Sequence, residues 1–263
     1  MELEIFTVDA FTDKQFGGNS AAVVPVNQWL TEQQMQNIAA ENNLSETAFV
    51  KRVAEQHYQI RWFSPLTEIA FCGHATLASA YVLFRFFNCQ GEVRFDTEQV
   101  GSLMVSQQEG GKISMDFPRQ TPQAVDCVPA ALLEGLSVTP KRVLRNRQAY
   151  IAVLEDEQAV RQVTYNSEQL KLLAPYDVVV TAAGNEYDFV SRYFWPANGG
   201  DEDPVTGSIH CGLAPYWSSL SGKSELVAYQ ASQRGGVLYC SVTQDRVQVS
   251  GYGQLYMRGT IFI

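Results

Sequence analysis

The chain opens on an alternation of apolar and polar residues, "ELEIFTVDAF" from Glu2 to Phe11, and continues with the apolar run "AAVVPV" from Ala21 to Val26. A period of two predicts strands for both. The pattern then lengthens to a helical period over Thr31–Glu41, with Thr31 placed to cap it. Strands are predicted at Glu46–Arg52 and Tyr58–Phe63. A second helix is predicted over Ala75–Phe87, apolar nearly all round, as a buried helix is. Two more strands close the series, at Leu103–Gln107 and Lys112–Phe117. Loop signals gather in "NCQGE" (Asn88–Glu92) and in "DFPRQTPQAVDCVPAA" (Asp116–Ala131). Short turns between most of the strands favour antiparallel pairing.

The series then starts again. "RWFSPLTEIAFCGHATLASAYVL" (Arg61–Leu83) is echoed by "RYFWPANGGDEDPVTGSIHCGLAPYW" (Arg192–Trp217), with Arg61 and Pro65 recurring as Arg192 and Pro196. Gly73 recurs as Gly207 after a longer loop. "LTEQQMQNIA" has a loose counterpart in "NSEQLKLLA", and "EQVGSLMVSQQEGGKISMDF" has one in "SQRGGVLYCSVTQDRVQVSGY". A repeat of half the chain is a duplicated domain and not a solenoid. The expected fold is therefore α+β: two pseudo-symmetric lobes, each a mostly antiparallel sheet wrapped around a central helix. The lobes are expected at 1–120 and 121–263, the closing strand being free to return to the first, with the active site in the cleft between them.

Composition narrows the function classes. The 263 residues are 46% hydrophobic and 18% charged, ordinary for a globular protein, and the formal charge is −9. An acidic chain without a Lys/Arg face offers no footprint for nucleic acid or for a membrane surface. No apolar run reaches membrane-spanning length, and the acidic, alternating N-terminus is unlike a signal peptide. Five scattered cysteines, none in a C-x-x-C pair, fit reduced thiols and a cytoplasmic location. Neither a dinucleotide fingerprint nor a P-loop is present, and no paired metal-ligand spacing occurs. No cofactor and no metal are expected.

Each copy carries a glycine turn before a buried helix, "FCGHATLASA" and "DPVTGSIHCG". The first turn of a helix leaves N–H groups unpaired at the positive end of its dipole, which suits a small carboxylate. Gly73 in one turn, and Gly207 with Ser208 in the other, are the candidate substrate-binding residues. In "NNLSETAFV", Glu46 follows Ser45, and its alternation with Ala48 and Val50 puts it on a mainly apolar side. A carboxylate there is more easily protonated and suits proton shuttling; an edge-strand surface acid fits the same pattern. The matching part of the second copy, "YDVVVTAAG", is read as offering no acid, which leaves one central carboxylate. His74, at a helix start, reads either as a neutral acid–base partner or as a cap. Asp203, before Pro204, reads as a helix cap or as a group facing Glu46 and His74 across the cleft. Asp201 and Glu202 read as solvated loop acids, His57 as a surface residue, and His210 and Cys211 as packing. Cys72 could be a thiol catalyst, but a two-thiol racemase needs a partner where the second copy has Thr206.

These motifs resemble the PhzF family of phenazine-biosynthesis isomerases along essentially the whole chain. "VDAFTDKQFGGNSAAVV" resembles its opening motif, "NNLSETAFV" its acid motif, and "FCGHATLASA" and "EDPVTGSIHCG" its two glycine turns. The resemblance implies the fold of diaminopimelate epimerase and a homodimer. It also implies a cofactor-independent isomerisation of a small carboxylate, with Glu46 as the proton shuttle. His74 and Asp203 would be its polar partners, and Ser45, Gly73, Gly207 and Ser208 would bind. Two alternatives stand beside it: an epimerase or racemase of a small amino acid, and a non-catalytic small-acid binder of the same fold. The family commonly has Gly-Asn-Pro where this chain has Gly18-Asn19-Ser20.

Overall fold

The computed structural model describes all residues, Met1–Ile263. The chain divides into two compact units. The first is Met1–Asp116 with Ser250–Ile263, and the second is Phe117–Val249. The first unit runs β1 (Glu2–Ala10), β2 (Asn19–Val26), α1 (Glu32–Asn42), β3 (Glu46–Ala54), β4 (His57–Phe63), β5 (Glu68–Ile69), α2 (Gly73–Phe86), β6 (Glu92–Asp96), β7 (Ser102–Gln107) and β8 (Ile113–Pro118). Helix α1 starts on the expected cap: Thr31 accepts from the Gln34 N–H while the Gln34 side chain accepts from the Thr31 N–H. "NCQGE" is a loop only as far as Gly91, because Val93 and Phe95 are buried from a strand whose polar residues face out.

The second unit runs β9 (Gln123–Ala124), α3 (Ala130–Gly135), β10 (Arg142–Arg145), β11 (Ala149–Val153), α4 (Glu157–Gln162), α5 (Ser167–Lys171), β12 (Asp177–Ala183), β13 (Phe189–Phe194), β14 (Glu202–Asp203), α6 (His210–Ser221), β15 (Glu225–Gln230), β16 (Gly236–Val242) and β17 (Arg246–Gly251). The chain ends with β18 (Gly253–Phe262), which pairs antiparallel with β1 from Gly253↔Ala10 to Phe262↔Glu2.

One order of pairing occurs in both units. In the first, β1–β2 is antiparallel, β2–β3 parallel, β3–β4 and β4–β5 antiparallel, β4–β6 parallel and β6–β7 antiparallel. In the second, β10–β11 is antiparallel, β11–β12 parallel, β12–β13 and β13–β14 antiparallel, β13–β15 parallel and β15–β16 antiparallel. The sheets are thus mostly antiparallel, and each parallel pair is bridged by a helical crossover.

Helix α2 is the buried centre of the first unit, with every residue from Gly73 to Ala80 enclosed. Burying side chains such as Leu77, Val82 and Leu83 contributes about 1.5–3 kcal/mol each, which fixes the helix and so the residues at its start. A second apolar layer, including Met35, Ile38, Phe49 and Phe63, packs α1 onto the same unit. The second unit has its own core around Leu132, Val160, Val180 and Phe194.

Candidate active site

Glu46 is the first residue of β3, His74 is the second of α2, and Cys72 is the N-cap of α2. Glu46 Oε2 lies 3.0 Å from His74 Nε2. Oε2 is buried and has no hydrogen bond, so the contact is close without being aligned for N–H donation. The other ring nitrogen, Nδ1, is 3.2 Å from Asn19 Nδ2 and 3.4 Å from Cys72 Sγ. Ser45 Oγ donates to Asn19 Oδ1 at 3.3 Å. Ser45, Glu46, Gly73 and His74 therefore gather in one place, together with Cys72, weighed above as a thiol, and Asn19, which the motifs did not mark as chemistry.

Gly18 delivers Asn19 to this place. Its φ is 63°, and an added Cβ would stand 2.1 Å from the Ala10 carbonyl oxygen, so only glycine fits the turn before β2.

The electrostatics run in opposing directions. Burial pushes the His74 imidazole down, but negative charge at Cys72 and at Glu46 pulls it well above the usual histidine range. Burial and then Glu46 push the Cys72 thiol up to about 11. At neutral pH the sulfur is therefore an uncharged thiol, and Glu46 is the partner that exerts the pull on His74. The expectation of a plainly neutral histidine beside a helix dipole omitted this carboxylate. A thiol held so high is a poor nucleophile and a poor base.

Glu46, Cys72 and His74 also have ligand atoms within 4.8 Å of one another. The sulfur is nearer Nδ1 than Nε2, 3.4 against 3.9 Å, whereas the carboxylate faces Nε2.

The remaining expected residues, Asp203, Gly207 and Ser208, lie in the second unit. Asp203 is not a helix cap. It closes β14, accepts from Thr206 Oγ1 at 2.5 Å, and stands before a turn, Gly207–Ile209, that delays α6 until His210. Gln230 ties this loop down, donating to the Asp203 carbonyl and accepting from the Thr206 N–H. Ser208 Oγ accepts from Gln148 Nε2 at 3.0 Å. The same amide group donates to Tyr193 Oη at 2.9 Å, and Tyr193 donates to Asp177 Oδ2 at 2.5 Å.

Three sequence expectations are corrected here. The second unit does have an acid at the place of Glu46: Asp177 opens β12, paired with Ala149 as Glu46 is paired with Ala21. Burial raises its pKa above the ordinary carboxylate value, although Tyr193 and Asn198 donate to it. Glu202 is not a free loop acid. It forms a two-pronged pair with Arg192 at 2.7 and 2.8 Å, as Glu68 does with Arg61 at 2.7 and 2.6 Å. The acidic run before Pro204 thus serves the sheet through Glu202 and the turn through Asp203. His57 is likewise not a bare surface residue, since its Nε2 lies 2.6 Å from Asp96 Oδ2.

Residues 8–259 match the family described as phenazine biosynthesis-like protein. The chain belongs to the PhzF family. Over its full length it is 46% identical to an uncharacterized isomerase of Pseudomonas aeruginosa, also covered completely. A crystal structure of a PhzF-family phenazine biosynthesis protein from Enterococcus faecalis superposes with a TM-score of 0.95 at 41% identity, with complete coverage of both chains. A hydroxyproline epimerase from Agrobacterium vitis shares the fold at 8% identity, with a TM-score of 0.58 over 99% of this chain and 92% of that one. The PhzF chain accordingly has the diaminopimelate epimerase-like architecture expected from its motifs. No helix in it is long and apolar enough to cross a membrane.

Proposed function

We propose that this protein is a cofactor-independent isomerase that moves a proton between two positions of a small carboxylate, with Glu46 as the acid–base group. The observation that carries this reading is the Glu46 carboxylate: mostly buried, beside His74, with one oxygen that forms no hydrogen bond. A base whose lone pairs are not all engaged, in a site shielded from water, can accept a proton from carbon and return it elsewhere. The isomerase name of the Pseudomonas aeruginosa relative supports the same class. His74 is the polar partner that receives or lends a proton at the carboxylate. Asp203 is a second polar group, and Gly73, Gly207, Ser208 and Ser45 belong to the binding turns. No side chain caps the start of α2, which supports a carboxylate at its first turn, whereas the first-turn N–H groups of α6 already donate to carbonyls of the preceding turn. The matching pairing order of the two units supports a duplicated ancestor, and the homodimer implied by the family resemblance is part of the same proposal.

Racemisation by two thiols is disfavoured by Thr206, which stands in the second turn where Cys72 stands in the first, and by the high pKa of Cys72. The reading is tested by incubating the protein in D₂O with a panel of small unsaturated, hydroxy and amino carboxylates. Solvent deuterium entering at a new carbon, with the double bond displaced and no cofactor added, is the expected result. Deuterium at a single stereocentre with inversion would instead make it an epimerase, and exchange in no member of the panel would favour the non-catalytic binder.

A further inference from the structure

We infer that Asn19 is a positioning residue: it keeps His74 Nδ1 unprotonated and so places the imidazole proton on Nε2, at the edge facing Glu46. The inference rests on reading Glu46 and His74 as the acid–base pair, and it concerns which nitrogen holds the proton. Asn19 is wholly buried and close to both members of the apparatus through Ser45 and Nδ1.

Hydrogen-bond polarity supports it. The Asn19 amide nitrogen can donate to Nδ1 but has no lone pair to accept from it. The second neighbour of Nδ1 is the Cys72 sulfur, which keeps its proton at neutral pH and is a donor with weak acceptor power. Nδ1 therefore faces two donors and no good acceptor, and it is satisfied only with its lone pair exposed. Ser45 donates to the other end of the amide, Oδ1, in keeping with the orientation that turns Nδ2 to the histidine. A neutral imidazole in this setting has its single proton on Nε2, 3.0 Å from the carboxylate oxygen that lacks a hydrogen bond. The pair then holds one transferable proton on one edge. A proton on Nδ1 would instead be stranded against two donors, and the ring would serve Glu46 only as a fixed charge.

The chain's three histidines make this readable without a substrate. His210 Nδ1 lies 2.9 Å from the Thr206 carbonyl oxygen, an acceptor, so it is protonated on Nδ1, the opposite tautomer. His57 Nε2 stands 2.6 Å from Asp96 Oδ2, so that nitrogen faces an acceptor. Long-range ¹H–¹⁵N correlation of the ¹⁵N-labelled full chain, followed upward in pH until His74 has lost its second proton and assigned with His57→Gln and His210→Gln, gives each ring its pattern. Once the ring is neutral, His74 is expected to keep its proton on Nε2 and to show an imine-type Nδ1. Replacing the donor by an acceptor, Asn19→Asp, is expected to protonate Nδ1 as well and to shift His74 titration to higher pH. A neutral His74 that holds its proton on Nδ1 in the wild type overturns the inference, whether or not the variant folds. An unchanged pattern in a folded Asn19→Asp overturns it too. The proposed isomerase activity can fail in deuterium exchange while the tautomer stands, and the tautomer can fail while exchange is seen.

Discussion

Two carboxylates open matching strands, and their neighbours decide what each can do. Glu46 reaches His74 and leaves Oε2 without a hydrogen bond, whereas Asp177 accepts from Tyr193 on one oxygen and from Asn198 on the other. On the proposed reading the first moves the proton, and the second serves the structure. Asp177→Asn puts an amide donor against at least one of these donors, and is expected to cost about 1–3 kcal/mol in thermal or urea unfolding, while Glu46→Gln leaves unfolding near wild type. His210 supplies a pH signature. Burial pushes it down to about 4, below its unfolded value of about 6.5. The unfolded chain thus takes up a proton that the folded chain refuses as pH falls between those values. The neutral ring's contribution is full above about pH 6.5 and shrinks toward pH 4, by up to ~3 kcal/mol. Urea unfolding across this range should show a shallower pH slope in His210→Gln than in the wild type. Legibility at this scale was uneven. Glu46 and His74 stand in motifs that could be read directly. Asp177 escaped because matching by letters sets it against nothing, and only strand register aligns it with Glu46. Asn19 was visible as part of a glycine motif, but its partner is 55 residues away, and no local pattern encodes that contact.

Among the elements, the turn before β2 and the paired arginines do the positioning. Gly18→Ala forces a Cβ onto the Ala10 carbonyl at a positive φ, so the backbone must shift and carry Asn19 with it. A loss of about 1–3 kcal/mol is expected, together with a changed His74 spectrum, which the histidine correlation experiment also reads. Arg61 with Glu68 and Arg192 with Glu202 lock β4 to β5 and β13 to β14. The sequence echo of Arg61 at Arg192 is explained by this shared brace. Hydrophobic period located α1, α2 and most strands to within a few residues, because those elements bury continuous apolar stripes. It was blind to β14, whose two residues are both polar in type, and therefore to the role of Glu202.

At the level of the whole molecule, the chain leaves the first unit within β8 and re-enters it within β17, and β18 then lies along the full length of β1. Amide exchange measured by mass spectrometry should show β18 protected together with β1 and β2, and a change confined to the second core, such as Val180→Ala, should leave that protection largely intact. The half-chain echo and the family motifs reached this scale because both preserve order along the sequence. Everything proposed for function converges on Glu46, and the most direct measurement is the rate of solvent deuterium incorporation by Glu46→Gln on whichever carboxylate the wild type exchanges. A fall of at least about a hundredfold, with the unfolding midpoint unchanged, is the predicted result; a folded Glu46→Gln that exchanges at the wild-type rate would contradict the account.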